Sequence, residues 1–139
     1  MMLHVFDTDT LSLYRYGHAA VVQHALTHPA EELAITVITV EEQLSGWYTL
    51  LRRAKLLTDM ASVYDRLAET VTFLSRTRIL SFTEAAITHY EQLQSLKLRI
   101  GTMDLPIAAI TLAHNATLVT RNRQHFQFVP GLEIKDWTV

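Results

Sequence analysis

The sequence predicts an α/β fold, a three-layer α/β/α domain built on a short, mainly parallel central sheet. Short apolar runs rich in β-branched residues, such as LAITVI and ATLVT, alternate with longer segments whose apolar residues recur at helical spacing. Strand–helix–strand alternation implies crossovers that return each strand parallel to the last and lay helices on both sheet faces. Length sets the scale. The 139 residues, 49% of them hydrophobic and 19% charged, amount to one domain, 1–139, with enough apolar material for a core. Only four glycines and three prolines are present, and no stretch reads as a linker, a repeat or a low-complexity segment.

Taken in order, Leu3–Phe6 reads as a short buried strand. Thr10–Tyr16 is a first helix ending near Gly17, and Ala19–His28 a second, stopped by Pro29. Leu33–Ile38 is the second buried strand. A helix follows from Thr39, a suitable N-cap, to about Lys55. Met60, Val63, Tyr64, Leu67 and Val71 place a helix within Leu56–Leu74. A strand around Arg78–Phe82 leads to a helix from Glu84 to Leu96. Asp104–Asn115 carries the clearest pattern, with Leu105, Ala108, Ala109, Leu112 and Ala113 on one stripe that Ile107 and Ile110 widen, so this helix should be nearly buried. Ala116–Thr120 and Leu132–Lys135 are the last strands.

Several classes of function are excluded or disfavoured at this level. The chain has no cysteine, which removes disulfides, thiolate catalysis and Cys-type zinc sites and fits a reducing, cytoplasmic setting. No apolar run reaches the roughly 20 residues that span a bilayer, and no secretory signal is expected. A net charge of −2 leaves any nucleic-acid binding to local patches. His24 and His28 are the only histidines at helical ligand spacing, and they lack further ligands for zinc. No Gly-rich phosphate loop or nucleophile elbow occurs.

In a parallel sheet, ligands bind beyond the carboxyl ends of the strands. Asp7 follows the first predicted strand, Glu41 and Glu42 fall in the first turn of the helix after the second, and Asp104 opens the most buried helix. Thr120 ends ATLVT, and Asn122 and His125 follow it. Each acid has a plain structural role open to it: Asp7 and Asp104 as helix caps, Glu41 and Glu42 as first-turn charges that favour the helix dipole. As a set on one edge they would repel one another unless a hard cation such as Mg²⁺ or Mn²⁺ sat between them. Spacing alone does not choose between these readings.

The stretches FDTDTLSLY, TVITVEEQLSGW and IGTMDLPIAAITLAHNATLVTRNRQHFQFVPGLEIKDW together resemble the PIN-domain ribonucleases, specifically the VapC toxin type. The resemblance runs nearly end to end and is strongest in the last third. It implies a metal-dependent endoribonuclease, the toxin half of a toxin–antitoxin pair, with Asp7, Glu42 and Asp104 as ligands for Mg²⁺ or Mn²⁺. Glu42 takes the second acidic position because it stands four residues before Gly46, with Glu41 its solvated neighbour. Asn122 stands where many relatives carry Asp, and His125 where Asp or Glu often precedes the Phe, so one ion rather than two is expected. Asp9 is implied in a supporting or capping role, and Thr8 and Thr120 as hydroxyl donors to a carboxylate or a water. The implied chemistry is attack on the scissile phosphorus by metal-activated water, leaving a 5′-phosphate and a 3′-hydroxyl. Arg121 and Arg123, flanking Asn122, are the candidates for gripping RNA phosphates. Trp47 and Tyr48 could stack an unpaired base, with core or dimer packing as the simpler role. The implied partners are RNA, a cognate antitoxin and a second copy of the chain, and the helices around Thr10–Tyr16 and Met60–Val71 are where an antitoxin groove would form. Two alternatives share the fold: a housekeeping nuclease of RNA maturation, and a catalytically inactive binding module.

Overall fold

The computed structural model describes residues 2–139. Five short strands, β1 (His4–Phe6), β2 (Leu33–Thr36), β3 (Arg78–Leu80), β4 (Thr117–Val119) and β5 (Glu133–Lys135), form one sheet in the order β3-β2-β1-β4-β5, every pairing parallel. The helices are α1 (Thr8–Arg15), α2 (Ala19–Leu26), α3 (Val37–Arg53), α4 (Leu57–Ser75), α5 (Glu84–Ser95), α6 (Asp104–Ala113) and the single turn α7 (Arg123–Phe126). Successive side chains on a strand point to opposite faces, and here that alternation divides the core in two. Val5, Ala34 and Leu118 face Ala86 and Leu93 of α5 and Ile107 and Ile110 of α6. Phe6, Ile35 and Val119 face Leu11, Val21, Leu74 and Trp137. These are the three layers that the sequence predicts.

Helix α6 is buried from Pro106 to Thr111. Pro106 costs nothing there, because it sits in the first turn, where its missing N–H has no helical partner. Ile107 and Ile110 are fully buried, and each contributes about 1.5–3 kcal/mol through removal from water.

Several boundaries differ from the sequence expectation. Helix α3 begins at Val37, not Thr39: the Thr36 hydroxyl caps it by accepting the Thr39 N–H at 3.3 Å. The β-branched run VITV is therefore helical after Thr36, and Glu41 and Glu42 lie in the second turn, beyond the reach of the helix N-terminal dipole. Helix α1 begins at Thr8, and its cap is Asp7, not Asp9. Helix α7 was not expected; four residues are too few to show a periodicity. Strand β3 stops at Leu80 and α2 at Leu26, each two residues short of the expected end. Among the described residues, no helix is long and apolar enough to cross a membrane.

Candidate active site

The sheet order reverses beside β1: from it the chain builds β2 and β3 on one side and β4 and β5 on the other. Loops leaving the carboxyl ends of β1 and β4 therefore diverge, and such a crevice is where parallel α/β sheets bind ligands. A cavity of about 650 Å³ opens there. Asp7, Thr8, Asp9 and Ser12 line it from the end of β1 and from α1, Glu42 from α3, Asp104 from the start of α6, and Arg121 and Asn122 from beyond β4.

Asp7 is buried, 6% exposed, and its two oxygens have separate partners. Oδ1 accepts the Thr10 N–H at 2.8 Å, which is the helix cap, and Oδ2 accepts the Thr120 hydroxyl at 2.6 Å. The Thr120 oxygen in turn accepts the Asn122 N–H at 3.0 Å, so its single proton is committed to Asp7. The capping role and a place at the site are thus compatible: one carboxylate does both. Glu42 Oε1 accepts the Thr8 hydroxyl at 2.6 Å. Asp104 is the first residue of α6, and among the described residues no hydrogen bond to its carboxylate is found. A methyl group at Gly101 would come within 3.2 Å of Asp104 Oδ2, so this glycine leaves the carboxylate its room.

All three acids resist ionisation. Burial pushes the Asp7 carboxyl above its usual pKa, with a smaller push from Asp9, against the Thr120 and Thr10 hydrogen bonds. Glu42 is raised by burial and then by Asp104, Asp7 and Glu41, with the Thr8 hydrogen bond opposing. Asp104 is raised by burial and by Asp7, with His125 opposing. Asp7 thus lies in the field of Asp9, Asp104 in that of Asp7, and Glu42 in that of Asp104, Asp7 and Glu41.

Among the described residues, no three carboxylate or imidazole groups stand close enough to close a ligand cage by themselves. The donor set nevertheless suits one kind of ion. Its oxygens are all carboxylate, it opens onto a cavity large enough for water and a phosphate, and the Asp104 carboxylate is unengaged. Mg²⁺ binds through a few carboxylates while keeping several waters, and needs no closed protein cage.

The remaining predicted residues divide. Asp9 meets Arg121 in a two-pronged ion pair, Nε to Oδ2 at 2.6 Å and Nη2 to Oδ1 at 3.3 Å, with both side chains half exposed. Asn122 lines the cavity and its amide donates to His125 Nδ1 at 2.8 Å. Arg123 is exposed and does not line the cavity. Glu41 is exposed beside Glu42. Trp47 turns inward, donating from Nε1 to Thr70 Oγ1 at 2.8 Å, while Tyr48 is 44% exposed. His24 and His28 each stack on Trp137, with 5.6 and 5.3 Å between ring centroids. Sequence reasoning missed Ser12, whose signal was its position one helical turn beyond Thr8 and thus on the same face of α1.

The PIN domain family matches residues 7–131, from the first site acid to beyond the fourth strand. Ribonuclease VapC2 of Rickettsia felis is 39% identical over 69 residues, a stretch that makes up 47% of this chain and only 52%, about half, of that protein. Ribonuclease VapC1 of Haemophilus influenzae strain R2866 is 25% identical over 144 aligned positions covering 99% of each chain. Among solved structures, VapBC2 of Rickettsia felis bound to a promoter DNA fragment contains a chain of 28% identity, with a TM-score of 0.69 over 98% of this chain and 99% of that one. Since the family match spans most of the chain, including strands β2, β3 and β4 and all three acids of the cavity, the chain belongs to the PIN-domain family.

Proposed function

We propose that this protein is a divalent-metal-dependent endoribonuclease and the toxin of a toxin–antitoxin pair. The observation that carries the reading is the convergence of Asp7, Glu42 and Asp104, from three separate strand–helix junctions, on one open cavity in which Asp7 raises the pKa of both other acids and Asp104 that of Glu42. The VapC relatives are named as ribonucleases, which fits that site.

Asp7, Glu42 and Asp104 would hold Mg²⁺ or Mn²⁺. When bound, such an ion offsets the charge of an RNA phosphate and acidifies water. The chain's own residues supply the frame. Thr120 and Thr10 fix both oxygens of Asp7, and Thr8 fixes one oxygen of Glu42. Asp104, unengaged and reached by the field of His125, is placed to take a hydrogen bond from water. The Asn122 amide at the cavity wall is anchored on His125, and Arg121 stands over the cavity mouth, where a phosphate would compete with Asp9 for its guanidinium. Hydrolysis here would break the P–O3′ bond, leaving a 5′-phosphate on one fragment and a 3′-hydroxyl on the other.

The structural relative from Rickettsia felis was solved as a VapBC pair, which supports an antitoxin partner for this chain. Tyr16, Tyr64 and Val71 are at least half exposed and would lie under such a partner or under a second copy. RNA cleavage by the purified chain tests the reading. Cleavage should appear with Mn²⁺ and vanish with a chelator. Failure of the partner-free chain to cut any RNA in Mn²⁺ would instead make it a binding module.

A further inference from the structure

Thr39 has a hydroxyl that local structure does not require. The residue is fully buried, two positions inside α3, and the helix is already capped by Thr36. A buried hydroxyl without a partner costs free energy, and valine would fill the same volume. Among the described residues, the one side chain that the Thr39 hydroxyl meets is Thr8, with Oγ1 to Oγ1 at 3.0 Å.

Counting protons gives that contact a direction. A threonine hydroxyl has a single proton. Thr8 spends its proton on Glu42 Oε1 at 2.6 Å, because an ionised carboxylate only accepts. Thr39 must then be the donor to Thr8. The result is a one-way chain, Thr39 to Thr8 to Glu42, leading from the core to the cavity. The same construction holds Asp7, where the Asn122 N–H donates to Thr120, whose proton goes to Asp7 Oδ2. In that case the chain starts at a backbone N–H. In the Glu42 case it starts at a buried side chain.

We propose that Thr39 is a positioning residue for the site: by donating to Thr8 it commits the Thr8 proton to Glu42 and fixes where that carboxylate oxygen stands. Without this donor the Thr8 hydroxyl is free to rotate, and Glu42, otherwise held by no second hydrogen bond among the described residues, loses its fixed orientation. The inference rests on the reading of Glu42 as a cation ligand, and it concerns a residue that never touches the ion or the RNA.

The test uses Thr39→Val and Thr39→Ser in the full chain. Thr39→Val should weaken Mn²⁺ binding, measured by electron paramagnetic resonance of free Mn²⁺, by about five-fold, the worth of one ordinary hydrogen bond. Thr39→Ser, which keeps the hydroxyl, should restore it. Cleavage should fall in kcat with KM for RNA unchanged. A crystal structure of the metal-free Thr39→Val protein separates this idea from the cation reading. Glu42 swung away from Thr8 supports the relay whether or not wild type binds Mn²⁺, while Glu42 still seated on Thr8 overturns it. Wild-type affinity in Thr39→Val, or no rescue by Thr39→Ser, also overturns it. Absence of Mn²⁺ binding by wild type overturns the cation reading.

Discussion

Strand β1 buries an ionisable side chain at its first residue and meets another just past its last, and the two are treated in opposite ways. At one end, His4 is 1% exposed and neither ring nitrogen finds a well-formed hydrogen bond. It lies against His28 and Trp137, with ring centroids 4.3 and 5.3 Å away. Burial, then His28 and Lys135, push its pKa below the usual histidine value, against smaller pulls from the Met2 backbone and Glu32. At the other end, Asp7 is also buried but is met by a backbone N–H and a hydroxyl. The first end is built for a neutral ring and serves packing. The second is supplied with donors to an anion although its neighbours oppose ionisation. A fold that spends hydrogen bonds on keeping repelling carboxylates together points to a function that needs them charged.

The largest effect is expected at Asp104. Asp104→Asn should lower RNA cleavage by at least about 100-fold, the usual scale for losing a charge that stabilises a transition state. The same substitution should leave the metal-free protein as stable or more so, by up to about 1 kcal/mol, since this partly exposed carboxylate is screened by solvent. Asp7→Asn should be equally inactive. It should stabilise less, because its amide suits the Thr10 cap but not the Thr120 proton. Cleavage assays and thermal melts in chelator report the two effects. An Asp104→Asn protein that melts well below wild type would mean that Asp104 serves the fold rather than the site.

Acid titration distinguishes the two ends by sign. The folded pKa of His4 lies below its ordinary 6.5, so between those values the unfolded chain binds more protons and stability falls as pH drops. The site acids behave the other way. Their folded pKa values lie above the ordinary 3.8 of Asp7 and Asp104 and 4.5 of Glu42, so the folded protein binds more protons and stability falls as pH rises through that window. His4→Leu should therefore flatten the acid limb, reducing the loss of stability between pH 8 and pH 5.5 by about 1 kcal/mol in urea melts. Protons also compete with the cation, so Mn²⁺ affinity should weaken as pH falls into the carboxylate range. An acid limb unchanged by His4→Leu would assign it to some other group.

Much of this arrangement was legible in the sequence, and the reason differs by region. Helix α6 announced itself because burial on nearly all sides imposes a dense apolar pattern, and Asp7 stood out because it closed an apolar run, whereas the choice of Asp7, Glu42 and Asp104 as a set rested on the family resemblance. The β2–α3 boundary was not legible. VITV has β-branched residues throughout, and only the Thr36 cap and the burial of Ile38 in the core make it helical. That shift of two residues moved Glu42 out of the first turn and removed the dipole explanation for it. The ion pair of Asp9 with Arg121 joins residues 112 apart in the chain, and the Thr39–Thr8 contact spans 31. Neither follows from local pattern. Both depend on β1 lying between β2 and β4.

A methyl group at Gly101 probes the site end more gently. Gly101→Ala would place its Cβ 3.2 Å from Asp104 Oδ2, close enough that the carboxylate must shift by a few tenths of an ångström. Gly101 is exposed, so the fold should not suffer, and a substitution of this kind away from the core changes stability by less than about 0.5 kcal/mol. Mn²⁺ affinity should nevertheless fall by a few-fold, because ligand geometry is sensitive to displacements of this size. Unchanged Mn²⁺ binding in Gly101→Ala would mean that Asp104 does not need its observed position.

A small effect on stability is also expected at the rim. Arg121 and Asp9 are 52% and 50% exposed, and ion pairs of that exposure contribute between zero and about 1 kcal/mol. Arg121→Gln and Asp9→Asn should therefore melt close to wild type. They should part in function. If a phosphate takes the guanidinium from Asp9, Arg121→Gln raises KM for RNA, and the effect shrinks as salt is added because the contact is exposed. Asp9→Asn removes the competitor, frees Arg121 and lowers KM. If both substitutions raise KM alike, the pair acts as a fixed strut that shapes the cavity mouth, and Arg121 is bound by Asp9 rather than available to RNA.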